Sequence, residues 1–203
     1  MMMRVYALLL AAGASTRMGR PKALLPWGGR TLVEFQVEQL VEGGVARVLL
    51  VLGHQAEAID RIAASLPRTE IVVNPDWSTG KTSSVRAGMR ALPEDADAVL
   101  VLSVDQPTPA SLIRQALHAH VTGNALITVP AFRGRPGHPA IFAKALFQEM
   151  LDIAEETEGL RAVRRRHVAG THTFDAPTAL FDLNTPEDYE AALQYFCGKP
   201  TCP

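Results

Sequence analysis

The sequence predicts an α/β domain on a doubly wound, mostly parallel sheet with a small antiparallel addition. Three observations lead there. Apolar runs such as VYALLLAA (Val5 to Ala12) and RVLLVL (Arg47 to Leu52) are continuous rather than alternating, as strands buried on both faces are. Segments of helical period, closed by glycine or proline, separate those runs. From Gly134 onward the pattern gives way to shorter, Gly/Pro-rich pieces.

Taken in order, Val5 to Ala12 is the first strand, and TLVEFQVEQLVEGG (Thr31 to Gly44) is an amphipathic helix ending on glycine. Arg47 to Leu52 is a strand, Ala56 to Leu66 a helix stopped by Pro67, and Glu70 to Val73 a short strand. Ser83 to Leu92 reads as a helix stopped by Pro93, and Ala98 to Leu102 as another buried strand. Pro109 opens a helix running to about His120, with Thr108 placed as its cap, and Ala125 to Val129 is a strand. RGRPGHPAIF (Arg133 to Phe142) is then a loop entering a short strand, followed by helices near Lys144 to Leu151 and Gly159 to His167. A strand pair, Thr171 to Phe174 and Ala179 to Asp182, leads to the last helix, Pro186 to Phe196. Thr185 caps that helix, with Pro186 at its first position and Glu187 and Asp188 in its first turn. No repeat or long linker intervenes, so one domain is expected over residues 1–196, with 197–203 as a flexible tail.

At 203 residues, 47% hydrophobic and 20% charged, the chain can bury a full core without disulfide or metal staples. A formal net charge of -1 gives no global field for nucleic acid. No apolar stretch is long enough to span a bilayer, and the start lacks the pattern of a secretory leader. Cys197 and Cys202 both fall in the terminal CGKPTCP, where neither a zinc site nor a core disulfide is expected. A reducing cytoplasm is the expected compartment.

In a sheet of this kind ligands gather beyond the carboxyl ends of the strands. The residues that follow the strands therefore matter most: Gly13 to Lys22, Gly53-His54, Asn74 to Ser84, and Asp105. LLLAAGASTRMGRPK (Leu8 to Lys22) is the most informative of these stretches. A buried strand running into small residues leaves backbone N–H groups uncovered, a cradle for phosphate oxygens, and Arg17, Arg20 and Lys22 follow to neutralise charge. The loop has neither a Walker ending nor closely spaced dinucleotide-fold glycines. Asp105 comes directly after a buried strand, where a carboxylate is costly unless it meets a cation.

The ordered set Ala11-Ala12-Gly13, Arg17-Met18-Gly19, Lys22, VLGH (Val51 to His54), NPDW-x-x-G (Asn74 to Gly80), SSVRAG (Ser83 to Gly88), VLSVDQP (Val101 to Pro107), GHPAIF (Gly137 to Phe142) and DLNTPEDY (Asp182 to Tyr189) spans nearly the whole chain. It resembles the nucleotidyltransferases that activate sugars, isoprenoid precursors and pterins, and within them the molybdenum cofactor cytidylyltransferase group (MobA/MocA-like). That resemblance implies the Rossmann-like sheet of the nucleotide-diphospho-sugar transferases. It also implies a Mg²⁺-dependent transfer of CMP from CTP to the phosphate of a molybdopterin-type cofactor, releasing pyrophosphate.

The resemblance further implies roles for residues. Leu10, Ala11, Ala12 and Gly13 would meet the nucleotide, and Arg17 and Lys22 would hold its triphosphate. Asp105 would bind Mg²⁺, with Asp182 and Asn184 as a second metal or phosphate contact or else a turn into the last helix. Asn74, Gly80 and Ser84 would form the base pocket, and Ala12, where the guanine-using branch usually has glycine, would favour cytosine. Trp77 would close over the ligand or pack. Gly137, His138 and Pro139 would face the acceptor, although a turn histidine bonded to backbone also fits His138. His54 reads as fixing its turn, and His118 and His120 as surface residues. Arg161, Arg164, Arg165, Arg166 and His167 end a helix, where cations suit the macrodipole; a docking patch for an anionic pterin or a partner enzyme is the other reading. A molybdenum enzyme would receive the product. The rival activities are a GTP-using guanylyltransferase, a CTP-using methylerythritol phosphate cytidylyltransferase, and a cofactor-carrying chaperone without turnover.

Overall fold

β1 (Val5–Ala11) is apolar throughout and buried at every residue, which only a position inside a covered sheet allows. In the computed structural model, which describes residues 3–14, 21–63, 65–168 and 171–198, β1 pairs in parallel with β4 (Val48–Leu52) and with β6 (Ala98–Ser103). β5 (Thr69–Val73) extends the parallel sheet beyond β4. On the other side β9 (Ala140–Ala143) runs antiparallel to both β6 and β7 (Ile127–Phe132). β10 (Thr171–Asp175) pairs in parallel with β7, and β8 (Arg135–Pro136) folds back on it. The resulting order is β10-β7-β9-β6-β1-β4-β5. The expected doubly wound, mostly parallel sheet with an antiparallel addition is therefore the fold.

The period of two along β1 divides the core. Val5, Ala7, Leu9 and Ala11 belong to a cluster that takes Leu40 of α1 (Leu32–Gly43), Ile59 of α2 (Ala56–Ala63), Ile113 of α4 (Ala110–Gly123) and Leu193 of α7 (Pro186–Cys197). Leu8 and Leu10 face the opposite layer, with Val85 and Met89 of α3 (Lys81–Arg90), Met150 of α5 (Phe147–Leu151) and Val163 of α6 (Leu160–Arg166). Thr31 and Thr185 cap α1 and α7 through reciprocal bonds with Glu34 and Asp188.

Three local expectations are corrected, and one element is new. Ala179 to Asp182 is no strand: a 3-10 turn occupies Pro177–Leu180, because Pro177 has no N–H for a ladder and suits the start of a helical turn. Thr108 does not cap α4; its hydroxyl donates to the Gln106 carbonyl at 2.9 Å, and Gln39 Oε1 instead accepts from the Ala110 N–H at 2.9 Å. His120 is not a surface residue: it is 2% exposed and its Nδ1 lies 2.9 Å from Thr128 Oγ1. His118 is exposed, as expected. A hairpin of β2 (Pro26–Trp27) and β3 (Arg30–Thr31) was not anticipated. Its signal was Gly28-Gly29, whose φ of 59° and 82° give the doubly left-handed turn that suits a two-residue hairpin loop.

Candidate active site

Chain segments after β1, β5 and β6 converge at the carboxyl end of the sheet, joined by the segment before α7, around a cavity of about 460 Å³. Leu10, Ala11, Ala12 and Gly13 form one wall, and Lys22, Asp105, Asp182 and Asn184 another. Gly80, Lys81 and Ser84 come from the start of α3, and Ser103 from the end of β6. Arg17 lies outside the described residues.

The charged centre is Lys22, whose Nζ donates to Asp105 Oδ2 at 2.8 Å and to Asn184 Oδ1 at 3.3 Å. Their side chains are only 11% and 24% exposed, so each charge answers the burial cost of the other. The Asp105 loop is braced from beneath by Gln36, a fully buried residue of α1. Gln36 Nε2 donates to the carbonyls of Gln106 (2.7 Å) and Val104 (3.4 Å), and its Oε1 accepts from the Thr108 N–H at 3.2 Å. Gln106 Oε1 accepts from the Ser103 N–H at 3.1 Å, and the Leu183 N–H donates to the Asp105 carbonyl at 2.8 Å. That last bond brings Asp182 and Asn184 to the same rim. Partial burial, and then the charge of Asp105, raise the Asp182 carboxyl above its ordinary range. Among the described residues no three Asp, Glu, His or Cys gather as a metal cage. Asp105 and Asp182 instead offer two hard oxygen donors, a set that needs ligand oxygens and water to complete a magnesium shell.

On the opposite wall, Asn74 is 3% exposed and does not itself line the cavity. Its Nδ2 donates to Ser83 Oγ at 2.9 Å and Ser84 Oγ at 3.0 Å, while Oδ1 accepts from the Asp76 N–H at 3.0 Å. Gly80, at φ 122°, turns the chain into α3. The turn is capped from a distance by Glu155, whose Oε2 accepts from the Thr82 N–H at 2.9 Å and from the Thr82 hydroxyl. Gly53 lets Trp77 close on the β1 loop: a Cβ there would stand 2.4 Å from Trp77 Cβ and 2.9 Å from Ala12 Cβ. Trp77 both lines the cavity and packs, its ring centroid 4.9 Å from that of His54.

Gly137, His138 and Pro139 do not line the cavity. Gly137 lies so close to the Ala179 carbonyl that a Cβ would stand 2.1 Å from it. His138 makes the backbone contact: Nε2 is 2.6 Å from the Phe181 carbonyl, so the hydrogen sits on Nε2 and Nδ1 is left as an acceptor. Burial pushes this imidazole down to about 4 despite the opposing pull of the Phe181 carbonyl and Asp105. Between about pH 6.5 and 4 the unfolded chain then binds a proton that the folded one refuses. The contribution is present above that window and is lost as pH falls through it, amounting to about 3 kcal/mol at most. His138→Gln should therefore flatten the loss of stability over this window, as read from urea midpoints at pH 4 and 6.5.

Two of the four arginines of α6 are paired, Arg165 with Glu158 and Arg166 with Glu149, which also meets His167. Sequence reasoning missed Gln36, Lys81 and Glu155. A glutamine inside the apolar stripe of α1 was the available signal for Gln36. Nothing local pointed to Glu155, which acts across 73 residues.

The family model of the MobA-like NTP transferase domain matches residues 7–171 of this chain. The chain belongs to the MobA-like NTP transferase family. It is a nucleotidyltransferase, and the match covers every wall of the cavity except the 182–184 segment. This MobA-like chain is 35% identical over 201 residues to the nicotine blue oxidoreductase of Paenarthrobacter nicotinovorans, with 95% of each chain covered. It is 24% identical over 198 residues to the molybdenum cofactor cytidylyltransferase of Escherichia coli (strain K12), covering 96% of this chain and 98% of that one. Among solved structures, Rv0371c from Mycobacterium tuberculosis H37Rv superposes with a TM-score of 0.79 at 25% identity, over 95% of this chain and 98% of the other. Rv0371c has also been solved in complex with manganese (TM-score 0.75, 24% identity, 94% and 98% covered). No helix among the described residues is long and apolar enough to cross a membrane.

Proposed function

We propose that the chain transfers CMP from CTP to the phosphate of a molybdopterin-type cofactor, with Mg²⁺ and release of pyrophosphate. The observation that carries this reading is the pairing of Lys22 with Asp105 at one cavity wall. It holds ready a cation for phosphate oxygens and a carboxylate for a metal, on loops that follow adjacent parallel strands.

The small side chains of Ala11, Ala12 and Gly13 leave backbone groups open to the nucleotide. Ser84, braced by Asn74, faces the base together with Gly80, and the Ala12 methyl favours cytosine. Lys22, joined by Arg17, holds the triphosphate. Asp105 and Asp182 would hold the metal, whose positive charge would favour the ionised form of both carboxylates. Magnesium, when bound, offsets charge on the transferring phosphoryl group and the departing pyrophosphate. Lys22 then exchanges Asp105 for phosphate oxygens. The acceptor phosphate oxygen attacks the α-phosphorus opposite the leaving pyrophosphate, and the protein contributes position and charge rather than a nucleophile. The E. coli relative supports the pterin acceptor, with a molybdenum enzyme as recipient of the product.

A second reading is favoured by the 35% identical relative, whose name is that of an oxidoreductase. One comparison separates them. CTP, GTP and ATP are each offered with Mg²⁺ and molybdopterin, and pyrophosphate is measured; nicotine blue is offered in parallel with a reduced nicotinamide nucleotide. The proposal expects pyrophosphate from CTP ahead of GTP by about tenfold or more. A preference for GTP overturns the base assignment, and bleaching of nicotine blue without pyrophosphate release overturns the transfer.

A further inference from the structure

The start of α3 presents two sides. Gly80, Lys81 and Ser84 line the cavity, whereas Thr82, 9% exposed, does not. The leading N–H groups of a helix have no intrahelical partners, and a Ser, Thr, Asp or Asn at its cap ordinarily supplies one. Gly80 stands at that place and has no side chain to do so. The acceptor comes from Glu155, in the 3-10 turn Glu155–Thr157, whose Oε2 takes the Thr82 N–H at 2.9 Å together with the Thr82 hydroxyl.

Both sides of this contact are shaped for it. Ile153, 4% exposed, and Leu160 pack into the core layer that holds Val85 and Met89 of α3, so the segment carrying Glu155 is fastened at both ends. A Cβ on Gly159 would stand 2.5 Å from Thr82 Cγ2, and one on Gly80 would stand 2.6 Å from the Glu155 carboxyl carbon. Glu155 therefore fills the space that a side chain at position 80 would need. The Gly80 backbone stays bare at the cavity wall, where a ligand can approach it closely. From the other direction Asn74 holds the hydroxyls of Ser83 and Ser84. Glu155 itself does not line the cavity.

We infer that Glu155 is a positioning residue for the nucleobase: by holding the Thr82 N–H and hydroxyl it fixes the first turn of α3, and with it Gly80 and Ser84, against the base. The inference rests on the nucleotidyl-transfer reading, in which Gly80 and Ser84 face that base. It assigns Glu155 to the base and not to the triphosphate, because the Lys22–Asp105 wall is held separately, by Asn184 and by the Gln36 brace. Glu155 touches no substrate itself.

The test is a pair of calorimetric titrations of the full chain with Mg²⁺, one with a non-hydrolysable CTP analogue and one with inorganic tripolyphosphate, which carries the charge without the base. Wild type is expected to bind the analogue about tenfold or more tighter than tripolyphosphate. Glu155→Ala should weaken the analogue by about fivefold or more, the size of one lost cap, and leave tripolyphosphate within about twofold of wild type. Glu155 is exposed and lies outside the core clusters, so the variant keeps its fold. Glu155→Gln should restore the analogue, because its amide oxygen still accepts from Thr82. Glu155→Asp, one methylene short, should not. Thr82→Val should give a smaller loss, and none further in the Glu155→Ala background. A cap that serves the helix alone would move both ligands together or neither. Unchanged analogue binding in Glu155→Ala overturns the inference, as does an equal loss of tripolyphosphate, or wild type that binds the analogue no tighter than tripolyphosphate. If wild type binds neither, the nucleotidyl-transfer reading falls and takes this inference with it.

Discussion

Asp105→Ala lowers Mg²⁺-dependent pyrophosphate release by about 10³-fold while the protein stays folded. The carboxylate pairs with Lys22 and acts on a second carboxylate of the cavity, Asp182. Its removal takes away half of the proposed metal donor set. It also removes the Asp105 charge that, after burial, raises the Asp182 carboxyl, so part of that rise should be lost in the variant. Lys22 keeps Asn184 as a partner at 3.3 Å, and the loop keeps its Gln36 bonds, so the fold has no reason to fail. Asp105→Asn sharpens the test, because it preserves shape and a hydrogen-bond acceptor for Lys22 and deletes only charge. Both variants should lose turnover together. A cofactor carrier would deliver its cargo equally well with either substitution, so retained delivery with no wild-type turnover would speak for that rival.

Gln36→Leu is expected to have the largest effect on stability. Leucine fits the buried volume but removes the bonds to the Val104 carbonyl and the Thr108 N–H, and leaves the Gln106 carbonyl with the Thr108 hydroxyl. A buried group left unmade costs about 1–3 kcal/mol, so a loss of about 3 kcal/mol is expected. For a chain of this size that lowers Tm by about 10 °C. The same bonds hold the Asp105 loop, so turnover should fall by about tenfold or more even at temperatures where the variant is fully folded. Denaturant unfolding and pyrophosphate release, measured on the same preparation, check both parts. A destabilised variant with wild-type turnover would show that the brace serves the core alone.

The layer architecture was legible because β1, β4 and β6 are apolar without interruption, and their helices carry a clean one-sided period. The site was legible to the extent that it follows strands: Ala11 to Gly13, Lys22, Gly80, Ser84 and Asp105 all meet at one cavity. Long-range contacts were not legible. Glu155 caps α3 from beyond β9, and Lys81 Nζ donates to Ser103, which lies 22 residues away. His120 was read as a surface residue because it stands two positions from His118, where the pair cannot face one ligand. It is buried instead, and its ring meets Thr128 on the strand that follows the helix. The Ala179 to Asp182 segment has strand-like residues, yet Pro177 just before it starts a helical turn. For His138 the sequence left a ligand donor and a backbone-bonded turn histidine both open, and the fold supplies the Phe181 carbonyl that takes its hydrogen.

The most direct measurement is a titration of wild type with CTP, with and without Mg²⁺, followed by heat. The account predicts uptake of one CTP per chain, strengthened by magnesium about tenfold or more, and a matching loss of that gain in Asp105→Asn. Tight CTP uptake that is indifferent to magnesium, or none by well-folded protein, would contradict it.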